Sequence, residues 1–481
     1  MHLIPESWSH LHMLVSVFPS VGFLLVFGLY IAGLKTGNEG LKQTCFAAFA
    51  ILAVLAIPTY FSGTGSAADL AQDMRISHEN VATHLTWSYA ALLALIATGV
   101  IAGLQLMQAR TTGKLTQQSL NLVLGLAAVT LLLMIIVGEM GWEINHPELR
   151  TVVAKAANAA SASDIPDNTN TPQAWSHVHM ILNHFPTVGF TISLGFYLTA
   201  LFMNNDVMKR ASLVLFTIAA ILGIPTYVTG AAAMWALSTI PSISKYPAGM
   251  DPLINAHRDM ALASLFGLGA TGIAAWIEVW RYRYLGRFSK TSLNVVLVLA
   301  IVTLGVMAET GHRGGQINHP EIRTEAPPTD VAGYVSPAIE SLINNVIWFV
   351  PWQTVHFFGY SLVFGTVTAV FLRIFGFWKS VPFSAVHRIL PLGVFGVTMN
   401  IFTGMLMLMA DTFRYVNETT FIPKMILLPI GAIAVLYFSL SDSLWRVKAG
   451  EDAPASAKWV AALVLFAWIG VIMGGRLLPY V

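Results

Sequence analysis

The sequence predicts an all-α integral membrane protein of about 12 transmembrane helices, built as two tandem four-helix bundles plus a third four-helix unit. Three observations carry that expectation. Hydrophobic residues make up 56% of the 481-residue chain and charged residues only 10%, too little polar surface to cover a soluble globule. The apolar runs reach about 20 residues, enough to cross a hydrocarbon core as a helix, and lack the alternation of a barrel strand. The chain also matches itself across its first two thirds.

Taken in order, the predicted spans are Leu14–Leu34, Gln43–Phe61, Leu85–Met107, Ser119–Val137, Ile181–Met203, Ala211–Thr229, Asp259–Trp280, Ser292–Ala308, Val346–Phe375, Ala385–Ala410, Pro423–Ser441 and Lys458–Gly475. An even number of spans puts both ends on one side. The short turns closing each odd–even pair of spans hold or border most of the 26 Lys and Arg, so they are expected on the cytoplasmic side. The termini and the long outer loops then face the periplasm of a bacterial inner membrane. Met1–Met13 has no basic segment, so no cleavable signal is expected. A net charge of +2 speaks against a nucleic-acid partner. The single cysteine, Cys45, excludes disulfides within the chain, Cys-rich metal sites and covalent C-x-x-C-H haem attachment.

Self-comparison divides the chain. Trp8, Ser9, His10, His12, Met13, Phe18 and Pro19 recur 167 positions later as Trp175, Ser176, His177, His179, Met180, Phe185 and Pro186, and "IPTYFSG" at Ile57 recurs as "IPTYVTG" at Ile224. Beyond a six-residue insertion the offset becomes 173: His84 maps onto His257, and "INHPELR" at Ile144 onto "INHPEIR" at Ile317. The expected units are 1–153, a polar outer linker at 154–173, the repeat at 174–327, and a distinct C-terminal unit at 328–481. With four spans each, the copies share one orientation.

Histidine carries the chemistry. Of the 14 histidines all but His387 fall in outer loops or outer halves of spans. His10, His12, His84 and His146 recur as His177, His179, His257 and His319, and the second copy adds His184 and His312. Imidazoles projecting inward from neighbouring helices of a bundle, between apolar and aromatic walls, suit non-covalent haem: two axial nitrogens and a dry slot. More than one haem b is therefore expected. The favoured ligands to haem iron are His12, His84, His179 and His257. First and third helices of an up-down bundle lie diagonally, which pairs His12 with His84 and His179 with His257. A competing pair in the second copy is His184 with His312. Pro19, Pro58, Gly22, Gly28 and Gly63, with their counterparts, would open bends and close approaches for a flat ring. Copper is the alternative cofactor, since "HLHM" and "HVHM" bring two imidazoles and a thioether within four residues.

The run "ETGHRGGQINHPEIR" from Glu309, with "HFPTVGF" from His184, resembles an uncharacterised family of four-helix bacterial membrane domains, a resemblance that implies b-type haem binding. In the first copy Val17 replaces His184, and ungapped pairing puts Glu139 opposite His312. The third unit is similar to the copper-resistance and protoporphyrinogen-oxidase-like membrane proteins through "VHFFGYSLVFGTVTAVFLRIFGF" from Val355, "HRILPLGVFGVTMNIFTGMLMLMAD" from His387 and "YVNETTFIPKMILL" from Tyr415. That resemblance makes His356 a candidate axial ligand; His387, at the inner face, is read as non-ligating.

These readings converge on a multihaem b-type cytochrome that moves electrons between membrane quinone and a periplasmic c-type cytochrome or other redox subunit, as one part of a quinone-linked oxidoreductase complex. Candidate proton-handling groups for quinone chemistry are Asp411, Arg414, Glu139 and Glu309. The alternative is a transporter handling copper or another metal. Transporters hold substrate near the midplane, whereas the first eight spans carry almost no ionisable residue there.

Overall fold

The computed structural model describes residues 7–69, 77–145, 178–239, 251–318, 346–410, 415–416 and 418–477. Among the described residues it contains helices and turns and no strand. Twelve helices are long and apolar enough to cross a membrane. They are α1 (Trp8–Thr36), α2 (Glu39–Asp69), α3 (His78–Thr112), α4 (Gln117–Asn145), α5 (His184–Phe202), α6 (Asp206–Thr239), α7 (Asp251–Leu285), α8 (Lys290–Asn318), α9 (Val346–Ile374), α10 (Leu390–Ala410), α11 (Phe421–Leu440) and α12 (Ala455–Leu477). Large apolar side chains such as Val54, Leu132, Val302 and Phe466 are each at least 60% exposed, an outward face that suits lipid and not water. The chain is a multi-pass helical membrane protein.

Helix ends depart from the apolar runs for a local reason. α3 begins at His78, where the Ser77 side chain accepts from Asn80 N at 3.3 Å, rather than at Leu85. The cap satisfies a backbone donor that the helix leaves open, so the helix extends through polar sequence beyond the hydrocarbon-length core. At its other end Gly113 takes φ 76° and its N–H reaches Ala109 O, a left-handed stop that favours glycine. α7 likewise starts at Asp251, ahead of Asp259. His12, His84 and His257 consequently lie inside helices, not before or at their first residue.

The chain forms two compact units: residues 1–169, 187–212 and 308–326, and residues 170–186, 213–307 and 327–481. In the first, α1 packs on α2 and α4, and α3 packs on the same two helices, so α1 and α3 are diagonal. Phe23, Tyr30, Phe46 and Phe49 are fully buried at the centre, and Tyr30 Oη donates to Leu120 O at 2.7 Å. Thr98 and Thr130 share a buried hydrogen bond of 2.9 Å between α3 and α4, and Gly99 lies where a Cβ would collide with Ala53.

The second unit repeats these details between α6, α7 and α8. Thr271 and Thr303 are 3.2 Å apart, and a Cβ at Gly272 would collide with Ala220. The same unit holds the C-terminal bundle, in which α9 packs on α10 and α12, and α11 on α12. Met405 and Leu408 of α10 share a core cluster with Phe421 of α11.

Paired side chains at three histidine seats

Each seat is built from a histidine on the first helix of a bundle and a short run on the second. His12 Nδ1 lies 3.1 Å from Thr59 O and 3.2 Å from Ser62 Oγ. His179 Nδ1 lies 2.9 Å from Thr226 O and 3.4 Å from Thr229 Oγ1. A carbonyl oxygen only accepts, so Nδ1 carries the proton in both rings and Nε2 keeps its lone pair. This is how a metal-binding imidazole is oriented: its second nitrogen donates to the backbone and fixes tautomer and azimuth. Glycine makes room for each ring. A Cβ at Gly63 would stand 2.9 Å from His12 Cε1, and one at Gly230 2.7 Å from His179 Cε1.

A second residue from the third helix faces each seat. The rings of His179 and His257 have centroids 6.4 Å apart and planes at 72°. Two imidazoles held by nitrogen on opposite sides of one metal, at about 2 Å each, place their ring centres about 6 Å apart. In the first copy His84 is the electrostatic neighbour of His12. Its ring has the Val137 backbone of α4 as a partner, and a Cβ at Gly141 of α4 would come within 3.0 Å of its Cε1. Each pair could hold a haem, whose iron takes imidazole nitrogens as ligands. The residues present therefore fit the group at both seats.

The third seat carries no shared sequence words. His356 Nδ1 lies 2.8 Å from Thr403 Oγ1, the Asn400 backbone is a further partner, and a Cβ at Gly404 would lie 3.6 Å from His356 Cε1. Asn400, Thr403 and Gly404 thus occupy the roles of Thr59, Ser62 and Gly63, and of Thr226, Thr229 and Gly230. The legible signal was a backbone acceptor followed three residues later by a hydroxyl and then glycine: "TYFSG", "TYVTG", "NIFTG". Lys424 of α11, not a histidine, neighbours His356 from the third helix.

The remaining candidates divide. His184 Nδ1 is 2.6 Å from Met180 O, one turn back on its own strand of helix, and His312 Nε2 is 3.2 Å from Gln316 Nε2. His146, His177 and His319, with Asp411 and Arg414, lie outside the described residues, and of His10 only the backbone is described. Of the H-x-H elements behind the copper alternative, His12, Met13, His179 and Met180 have described side chains while those of His10 and His177 do not, and among the described residues no group of three or more His, Cys, Asp or Glu is gathered. Glu309 is ion-paired to Arg313 at 2.8 Å, and Glu139 is exposed. His387 is fully buried, with Nδ1 3.1 Å from Tyr284 Oη and Nε2 3.1 Å from Ser439 Oγ, so both nitrogens are engaged in packing the inner end.

The fold and these seats define a class: a multi-span helical membrane protein with paired nitrogen-bearing side chains near one end of its bundles. Residues 176–320, the second repeat, match a family described as "Predicted membrane protein (DUF2231)". Neither a curated relative nor a solved structure matches the chain.

Proposed function

We propose that the protein is a multihaem b-type cytochrome of a bacterial inner membrane, carrying electrons between membrane quinone and a periplasmic c-type cytochrome or other redox subunit of a larger complex. The observation that carries this reading is the juxtaposition of His179 with His257 at 6.4 Å, with a tethered Nδ1 on His179, and the matching proximity of His12 and His84. His12 and His84 would hold one haem, and His179 and His257 another. Bound there, haem supplies reversible one-electron redox chemistry. The chain's own part is to fix each imidazole by a backbone carbonyl and to surround it with apolar helix faces that exclude water. The similarity of 176–320 to a membrane family supports the membrane placement and is silent on the cofactor.

The test is a dithionite-reduced minus oxidised spectrum with pyridine-haemochrome quantification, on protein produced with haem available. More than one b-type haem per chain is expected. His84→Ala and His257→Ala should each remove one low-spin signal and spare the other. A missing Soret band, or copper in stoichiometric amount, sinks the reading, as does full haem content in both variants.

A further inference from the structure

We infer that the third seat is a binding site for a quinone headgroup, built by exchanging the second imidazole of the haem-type seat for hydrogen-bond donors. This rests on the electron-transfer reading only for the choice of quinone as the substrate class. The scaffold is shared: a first-helix histidine tethered through Nδ1, a hydroxyl-glycine pair on the second helix, and a glycine wall on the fourth. Gly475 of α12 faces Lys424, its Cβ position 3.3 Å from Nζ, as Gly141 of α4 faces His84.

What differs is the polarity of the groups that converge. Trp352 and His356 are four residues apart on α9, and Thr420 and Lys424 four apart across the start of α11, so each pair lies on one helix face. Trp352 Nε1 and Thr420 Oγ1 are both buried without a hydrogen-bond partner. Thr420 occupies the N-cap position of α11 but its side chain makes no capping bond. The Trp352 ring meets Phe402 at 5.9 Å, a Cβ at Gly474 would lie 3.1 Å from Lys424 Cβ, and Lys424 is the electrostatic neighbour of His356, which brings residues of all four helices together. The indole N–H is a buried donor without an acceptor and the lysine head adds a further donor, and a buried donor of this kind demands an acceptor oxygen. Thr403 donates its hydroxyl to Met399 O at 2.7 Å, so it accepts from His356 Nδ1–H and leaves Nε2 as a lone-pair acceptor. Donors from both α9 and α11 together with an imidazole lone pair match the two redox forms of a quinone, which present carbonyl oxygens or hydroxyls. The aromatic walls and a depth of about 9 Å from the start of the Val350–Ile374 span favour a flat, lipid-borne ring over a charged headgroup.

The experiment uses the full chain in nanodiscs. A photoreactive azido-ubiquinone is crosslinked and mapped by mass spectrometry, and binding of ubiquinone-1 is titrated in wild type, Trp352→Phe, Lys424→Met and, as a fold control, Lys424→Arg. Labelling of α9 or α11 peptides, with about tenfold weaker binding in W352F and K424M and unchanged haem content, is expected. Labelling elsewhere, equal binding in all variants, competition by phosphatidylglycerol but not by quinone analogues, or loss of a third haem in His356→Ala would overturn the assignment. Haem content is read separately: quinone binding without haem sinks the cytochrome reading and keeps this site, whereas haem without quinone binding does the reverse.

Discussion

At the scale of single residues, the glycines separate into roles that composition alone merges. Gly22, Gly28 and Gly63 all fall in a glycine-rich first bundle, and the sequence gives each the same meaning, a surface for close approach. In the structure a Cβ at Gly22 meets Ile192 and Leu52 at 3.1 Å, one at Gly28 meets nothing within 4 Å, and one at Gly63 meets the His12 ring. Only the last is a seat for an imidazole; spacing cannot reveal this, because it depends on which rotamer the facing side chain adopts. Gly63→Ala and Gly230→Ala should push the His12 or His179 ring and shift or abolish one low-spin electron paramagnetic resonance signal each. Gly28→Ala and Gly195→Ala should leave both signals in place and raise stability by up to about 1 kcal/mol through the helix preference of alanine. Identical spectra in all four variants would strip the seats of their meaning.

At the scale of elements, apolar runs reveal that a helix exists but not where it ends, since the helices carrying His84 and His257 extend through polar sequence ahead of the apolar run, the first of them under the Ser77 side-chain cap. The third bundle shows the same limit from another side. Its seat repeats the hydrogen-bond pattern of the other two through Asn400, Thr403 and Gly404, yet those residues share few identities with the repeated words, because a backbone carbonyl can be offered by any side-chain type. A second element-level feature is the inner-end junction within one compact unit, where α7 meets the start of α10 and the end of α11. Arg283 donates to Ser439 O at 2.7 Å and also bonds Leu440 O and Asp442, while Tyr284 Oη reaches both Ser384 O and His387 Nδ1 at 3.1 Å. Tyr284→Phe keeps the ring and leaves a fully buried imidazole nitrogen without that partner, a cost of about 1–3 kcal/mol. Differential scanning fluorimetry in detergent should show a lower unfolding temperature with unaltered haem spectra. A spectral change instead would mean that His387 acts on a cofactor.

At the scale of the whole molecule, strict alternation of twelve spans would put the start of every odd-numbered helix on one side of the membrane. His12 and His84 sit near the starts of α1 and α3, and His257, His356 and Lys424 near the starts of α7, α9 and α11. Histidine placement in the sequence gives the expectation of one common side. Its identity rests on charge: Lys35, Lys42, Lys114, Lys209, Arg287, Lys379 and Lys448 lie in or border the short turns that join α1 to α2, α3 to α4, α5 to α6, α7 to α8, α9 to α10 and α11 to α12. Each cation left in the cytoplasm during insertion lowers the cost of that orientation, and Asp or Glu offsets it little. Lys379 is held by Asp452 at 2.8 Å, but this is an exposed pair formed after folding and does not alter the count that guides insertion. Reporter fusions after Arg110 and after Pro172 should therefore read cytoplasmic and periplasmic respectively, placing the seats where a periplasmic electron carrier docks. The opposite pattern would put the imidazole pairs against the cytoplasm and replace the proposed partner with a cytoplasmic one, while leaving the paired geometry of His179 and His257 as it stands.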